Sequence, residues 1–189
     1  MDVLGVLSAF GLSASAGLNA YIPLLVVALI AKFTPLIRLD HPWDNLTSWW
    51  VIGLLVVLSL VEFFADKVPA INHVNDIIQT FIRPAAGAIL FAASAKVITD
   101  INPVLSIAAG VLVAGGVHLV KSVAIRPVVT ATTGGTGNIP VSVAEDLTST
   151  LVSIISVVVP VVIGILLCLV AAWIILRMWR RAKRSSSSS

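Results

Sequence analysis

Charge is what this sequence has least of. Only 11% of its 189 residues are charged, whereas soluble domains carry about 25%. So few charges cannot cover a water-facing surface. With 58% hydrophobic residues and a mean hydropathy of +1.06, the chain reads as an integral membrane protein. Cysteine is nearly absent: Cys168 stands alone in an apolar run, which excludes an intramolecular disulfide, a CxxC motif and a thiolate cluster. Histidine is sparse and scattered, at His41, His73 and His118, with no HExxH and no Ser-His-Asp arrangement. The chain is therefore not read as an enzyme; no cofactor is expected, and metal binding is left open. No basic n-region precedes the first apolar run, so it reads as a membrane helix and not as a cleavable leader.

Positive charge is scarce outside one end. Five of the twelve basic residues, Arg177, Arg180, Arg181, Lys183 and Arg184, lie in "RMWRRAKR", leaving seven basic against nine acidic residues elsewhere. Nucleic acid is excluded as a partner by that balance. The tail, residues 177–189, reads as a cytoplasmic anchor near anionic lipid, following a single transmembrane domain over residues 1–176. Ser185–Ser189 is low-complexity.

Five apolar segments approach the ~20 residues that a crossing needs: Val3–Ala31, Trp49–Ala65, Pro84–Ile98, Ile101–Val120 and Leu151–Leu176, the last with Pro160 as an expected kink. The fold expected is all-α and polytopic, with broken or re-entrant helices. Val3–Ala31 is either one tilted helix or a broken pair. The residues Ile71–Ile82 recur at helical spacing and either extend the third segment or lie on the membrane surface. With the tail inside, the turn at Lys96–Pro103 faces the cytoplasm and the linkers Asp66–Arg83 and Lys121–Asp146 face outward. Those linkers resemble each other: Val68-Pro69 precedes Asn75-Asp76, as Ile139-Pro140 precedes Glu145-Asp146. The match suggests an internal hairpin repeat of the kind transporters carry.

Several polar residues interrupt the apolar runs. In "GLNAYIPLL", Pro23 removes the hydrogen bond to the Asn19 carbonyl. Gly17 permits close helix approach, and the pattern reads as a helix break lining a polar site. Glu62 has apolar neighbours on both sides, and Asp66 follows one turn later; ionisable groups within a membrane are costly and commonly functional. His118 and Lys121 share a helix face, and Glu62 or Asp66 is expected to pair with Lys121 or Arg126. The stretch "TATTGGTGNIP", with Thr133 and Asn138, reads as the least helical part of the chain. It is an exposed loop, an anion nest or a cation filter. Glu145 and Asp146 follow it.

The segments "GLNAYIPLL", "EFFADKVPAINHVND" with "RPAAGA", and "GGVHLVKSVAIRP" leading through "TTGGTGNIPVSVAED" resemble a family of small bacterial integral membrane proteins, classed as domain of unknown function 4126. The resemblance spans most of residues 11–150. It implies that Asn19, Glu62, Asp66, Asp76, His118, Lys121, Arg126, Glu145 and Asp146 belong to the family pattern, and it implies no activity. The leading expectation is a transporter or channel for an ion or small polar solute in the bacterial inner membrane. The chain would be multi-pass, in contact with membrane lipid, and a homodimer or higher oligomer. The alternatives are a lipid-phosphate carrier gripping its ligand with Arg83 and Arg126, and a structural membrane protein without transport.

Overall fold

The computed structural model describes residues 3–67, 69–98 and 102–185. Helix α1 spans Val3–Leu18 and α2 spans Tyr21–Phe33. A short 3-10 turn, Trp43–Thr47, leads to α3, Trp49–Ala65, and then α4, Pro69–Ile98. Helix α5, Pro103–Leu119, runs through a π-helical turn at Val120–Ile125 into α6, Arg126–Thr133; α7 is Asn138–Ser185. There is no strand among the described residues, and the chain is an all-α membrane protein.

Local chemistry sets several helix starts. The Ser48 hydroxyl accepts from the Val51 N–H at the start of α3, and Asn102 accepts from Val104 N–H ahead of Pro103 on α5. These side chains satisfy donors that the first helical turn leaves unpaired.

Helix α1 is the centre of the bundle and packs on α4, α5 and α7, while α2 packs mainly on α3 and α7. Small residues make these contacts close. A Cβ on Gly110 would stand 2.6 Å from the Ala88 Cα, and one on Gly17 would stand 2.6 Å from the Val117 Cβ. Between α1 and α7 runs a seam of hydroxyls: Ser15 Oγ lies 2.9 Å from Ser149 Oγ and 2.7 Å from Ser153 Oγ, and the Ser8 hydroxyl donates to the Ser156 carbonyl. In a bilayer, where apolar burial gives helices no reason to associate, such small and hydroxylated residues hold them together.

The radial order departs from that of a soluble protein: charges are buried beside the apolar cluster of Leu12, Val27, Ile52 and Leu90, and large apolar side chains are exposed. Leu54, Val57, Leu60, Val61 and Phe64 on α3, and Val104, Leu105, Leu112 and Leu119 on α5, are exposed, while Asn19, Glu62, Arg83, His118 and Lys121 are buried. Among the described residues, three helices are long and apolar enough to cross a membrane: Val74–Ser94, Pro103–Thr133 and Asn138–Pro160. Gly5–Leu18, Tyr21–Phe33 and Trp49–Ala65 are shorter apolar helices.

The structure decides between readings that the sequence left open. Val3–Ala31 is a broken pair, interrupted at Asn19 and Ala20. Residues 69–98 form one continuous helix, so the Ile71–Ile82 stretch extends the third segment. Thr130–Pro140 is not irregular throughout: Thr130–Thr133 completes α6, the turn occupies residues 134–137, and Asn138 opens α7. Gly134 and Gly135 supply the positive φ values, +63° and +90°, that this turn requires and that glycine adopts without a Cβ clash. The Lys121–Asp146 linker is therefore a helical hairpin. Helix α7 continues past Pro160 to Ser185, so Arg177–Arg184 are helical. Val68, residues 99–101 of the Lys96–Pro103 turn, Ser186–Ser189 and the side chains of His73 and Cys168 lie outside the described residues.

The α4–α5 contact yields a first prediction. Gly110→Ala is expected to cost about 1–3 kcal/mol by overpacking. Gly53→Ala, at a position with open space around it, is expected to be neutral. Thermal unfolding of both variants in detergent would show whether the helices are as close as described.

Candidate functional site at the helix break

A broken helix leaves carbonyls at the end of its first half and N–H groups at the start of its second. The partial charge there is negative at the carbonyl end and positive at the amide end. Each end meets a side chain of the opposite sign. Lys121 Nζ donates to the Leu18 carbonyl at 3.0 Å, and Arg83 NH1 approaches the Gly17 carbonyl at 3.5 Å. On the other side, Glu62 Oε2 accepts from Ala20 N–H at 3.2 Å. Asn19 Oδ1 accepts from the N–H groups of Tyr21 and Ile22 at 3.1 and 3.0 Å, so the residue at the break also caps α2. Pro23 adds to the break, because it has no N–H to return to Asn19.

The same groups bind one another. Arg83, 0% exposed, donates to Glu62, 1% exposed, at 2.8 Å. Asp66 collects Arg126 at 2.9 Å, Lys121 at 3.7 Å and Arg83 at 3.9 Å, and accepts from Asn75 at 2.7 Å. Glu145 bridges Lys121 at 2.8 Å and Arg126 at 3.1 Å. Asp146 accepts from Asn19 Nδ2 at 2.9 Å and pairs with Lys67 at 3.6 Å. At 1.5 Å per residue, Arg83 stands about 14 Å along α4 from Val74 and about 17 Å from Ser94. Arg83 thus lies near the middle of that span, while Glu62 stands in the last turn of α3 and Asp66 closes it.

His118 is fixed in one tautomer. Arg83 NH1, which only donates, lies 3.0 Å from Nδ1, so Nδ1 accepts and Nε2 carries the hydrogen. Nε2 then donates to Thr80 Oγ1 at 3.1 Å, and the Thr80 hydroxyl donates to the Asp76 carbonyl at 2.8 Å. The imidazole is neutral in this arrangement and orients Arg83.

The π turn explains how Lys121 and Arg126 act together. Five residues along a regular α-helix rotate by about 140° past one turn, which would separate the two side chains. The Arg126 N–H instead bonds to the Lys121 carbonyl, five residues back. The wider turn returns both side chains to the face that meets Asp66 and Glu145. Such turns recur at functional sites.

Of the residues singled out in the sequence, Asn19, Glu62, Asp66, His118, Lys121, Arg126, Glu145 and Asp146 meet at the break. Gly17 and Pro23 flank it. Thr133 does not join them: it is exposed, and its hydroxyl accepts from Gly137 N–H within the Gly-rich turn. Asn138 lies apart as well, donating to Thr130 Oγ1 at 2.8 Å. Arg83 is the omission that matters most. An arginine followed by "PAAGA" in an apolar helix carried the signal of a buried charge, but the sequence suggested a role for it only in the lipid-phosphate alternative. Asn75 and Ser142 were also missed as Asp66 contacts.

Residues 6–181 match the model of the family described as a domain of unknown function, number 4126. The chain belongs to that family. No curated protein and no solved structure matches it. In this member of the 4126 family, a cavity of about 830 Å³ opens beside the network. Asp66, Lys67, Asp76, Arg126, Thr130 and Asn138 line it, together with the Gly134–Gly135 turn.

Removing one partner of a buried ion pair leaves the other charge uncompensated. Glu62→Gln is expected to destabilise by about 3–5 kcal/mol on that basis. Adding Arg83→Gln should return part of the loss, because the pair is coupled. A double-mutant cycle of unfolding in detergent checks this; additive effects would contradict the pairing.

Proposed function

We propose that this chain is a small transporter or channel that moves an ion or small polar solute across the bacterial inner membrane. The observation that carries this reading is the buried charged network around a broken helix, reached by Arg83 from the middle of an apolar span and with a cavity against its edge. A charge at the centre of a membrane helix costs about 2.5–3.5 kcal/mol on insertion scales. Packing alone does not call for such groups, since α4 and α5 pack closely through glycine and alanine. Broken helices with charged or polar ends at mid-membrane are a recurring way of building solute and ion sites.

The basic end of α7 favours a cytoplasmic C-terminus under the positive-inside rule. A chain of this size encloses a pathway more readily with a second copy, which supports a homodimer or higher oligomer. The lipid-phosphate alternative has less support from the geometry: Arg83 is committed to Glu62 and His118, and Arg126 to Asp66 and Glu145. A structural role is favoured by one specific observation, that most acids in the network already sit on a base.

Flux separates the two. In proteoliposomes, wild-type protein is expected to pass tracer above the level of empty vesicles. The double variant Lys121→Gln with Glu145→Gln removes a charge pair together and should lower flux at least tenfold while the protein stays folded. Equal flux in the wild type and the double variant would sink the transport reading.

A further inference from the structure

The helix pairings fix which way each segment runs. Between α1 and α4, Gly17 meets Arg83, Ser13 meets Gly87 and Phe10 meets Phe91, so the two are antiparallel. Between α3 and α4, Glu62 meets Arg83 and Asp66 meets Asn75, so these are antiparallel too. Helix α3 therefore runs with α1. Helix α2 runs against α3, with Ala20 at Glu62 and Phe33 at Trp49. It follows that α2 turns back from the break. Helices α1 and α2 form a re-entrant hairpin, with its tip at Asn19 and Ala20 and both outer ends at one end of the bundle. Helix α5 runs with α1, Ser13 at Gly110 and Leu18 at Lys121; α7 runs against it, Asn19 at Asp146 and Ser8 at Ser156.

The two ends of the bundle differ in charge. One carries the start of α1, the loop 33–49, the end of α4, the start of α5 and α7 from Pro160 onward. Eight of the twelve basic residues belong to it: Lys32, Arg38, Lys96 near the end of α4, and the five of residues 177–184. Trp49 and Trp50, 65% and 90% exposed, mark its edge as an interfacial belt. The opposite end carries the α3–α4 connection and the 134–137 turn. The four remaining basic residues, Lys67, Arg83, Lys121 and Arg126, are all paired with acids of the network. Basic residues outside the network thus all stand at the first end, which the positive-inside rule makes the cytoplasmic one.

The cavity lies at the opposite end. Lys67 and the α6–α7 hairpin wall it, and it reaches the network at Asp66 and Arg126. Toward the cytoplasmic end the network is shut off. Ser13, Ser15, Ser149 and Ser153 are fully buried between α1 and its neighbours, and Gly87 and Gly110 leave no room for a methyl group. A site open to one side and closed to the other is what alternating access asks of a carrier.

We infer that this structure is the outward-open form. The cavity is the outer mouth of the site, and the network behind it receives solute from the side opposite the cytoplasm. The re-entrant hairpin, packed on α4, α5 and α7, closes the cytoplasmic side. The inference rests on the transport reading for its purpose and adds the side from which the site fills. It also places the start of α1 on the same side as the basic end of α7, where five straight crossings would have separated them.

Cysteine labelling in membranes tests this. In a Cys168→Ser background, single cysteines are introduced by Thr136→Cys and Ala131→Cys on the cavity wall, Asp44→Cys in the exposed loop and Ser153→Cys in the buried seam. In addition, an epitope tag is fused to either terminus. A charged, membrane-impermeant maleimide is applied to spheroplasts and to inverted vesicles. Positions 136 and 131 are expected to react at least tenfold faster in spheroplasts, position 44 at least tenfold faster in inverted vesicles, and position 153 in neither. Both tags should bind antibody in inverted vesicles alone. The two wall positions are independent, so a variant that fails to accumulate leaves the other to decide. An N-terminal tag reached in spheroplasts overturns the hairpin. Wall positions that react faster in inverted vesicles overturn the outer mouth, and labelling of position 153 from the cytoplasmic side overturns the closed half. The expected labelling in protein that passes no tracer upholds the sidedness and removes the transport reading. Flux with wall positions that react from the cytoplasmic side does the reverse.

Discussion

A helix that stops and restarts at the buried centre of an apolar bundle exposes backbone groups that apolar neighbours cannot satisfy, and the rest of this fold is arranged around that constraint. The N–H and C=O groups near residues 17–22 need partners there. Asn19 itself takes the Tyr21 and Ile22 N–H groups, and three other elements supply the rest of the pairings seen: Glu62 on α3, Arg83 on α4 and Lys121 on the π turn. Their signs follow the helix-end dipoles, with cations at the carbonyl end and the carboxylate at the amide end. Once those three charges are inside, each must itself be neutralised. Glu62 and Arg83 neutralise each other, Asp66 and Glu145 take Lys121, and Arg126 balances those two acids in turn.

This burial of charge has a packing cost that glycine, alanine and serine meet. Charged side chains occupy the centre of the bundle, so the helices must touch elsewhere through small residues. They do so at Gly17, Gly87 and Gly110, and along the serine seam between α1 and α7. Leu12, Val27, Leu90 and Phe91 remain inside, but many other large apolar side chains are exposed on the outer faces of α3 and α5. This radial order is thus a consequence of the buried charges as much as of the bilayer.

How much of this was legible in the sequence follows from the kind of signal involved. The helix break showed in "GLNAYIPLL", because Pro23 and Asn19 act through local backbone chemistry that a sequence displays directly. The buried acids and bases showed because a charge within an apolar run is conspicuous. Pairing was only partly readable. Asp66 does meet Lys121 and Arg126, but Glu62 meets Arg83, and nothing local tells a carboxylate which of several cations the fold will bring to it. The π turn was invisible: it rephases Arg126 by a single residue, which no periodicity resolves. The Gly-rich stretch misled in the other direction. Its threonines and glycines read as loop, yet only residues 134–137 depart from helix, because a left-handed glycine is a helix cap as readily as a loop residue.

The break also has a history within each molecule. Lys121 reaches the Leu18 carbonyl across 103 residues of chain, so the first hydrophobic stretch leaves the ribosome long before its partner is made. Its amide end needs no such wait, because Asn19 caps Tyr21 and Ile22 from within the same stretch. The two ends of one break thus depend on chain of very different reach: one is closed by its own neighbour, the other by a residue made much later.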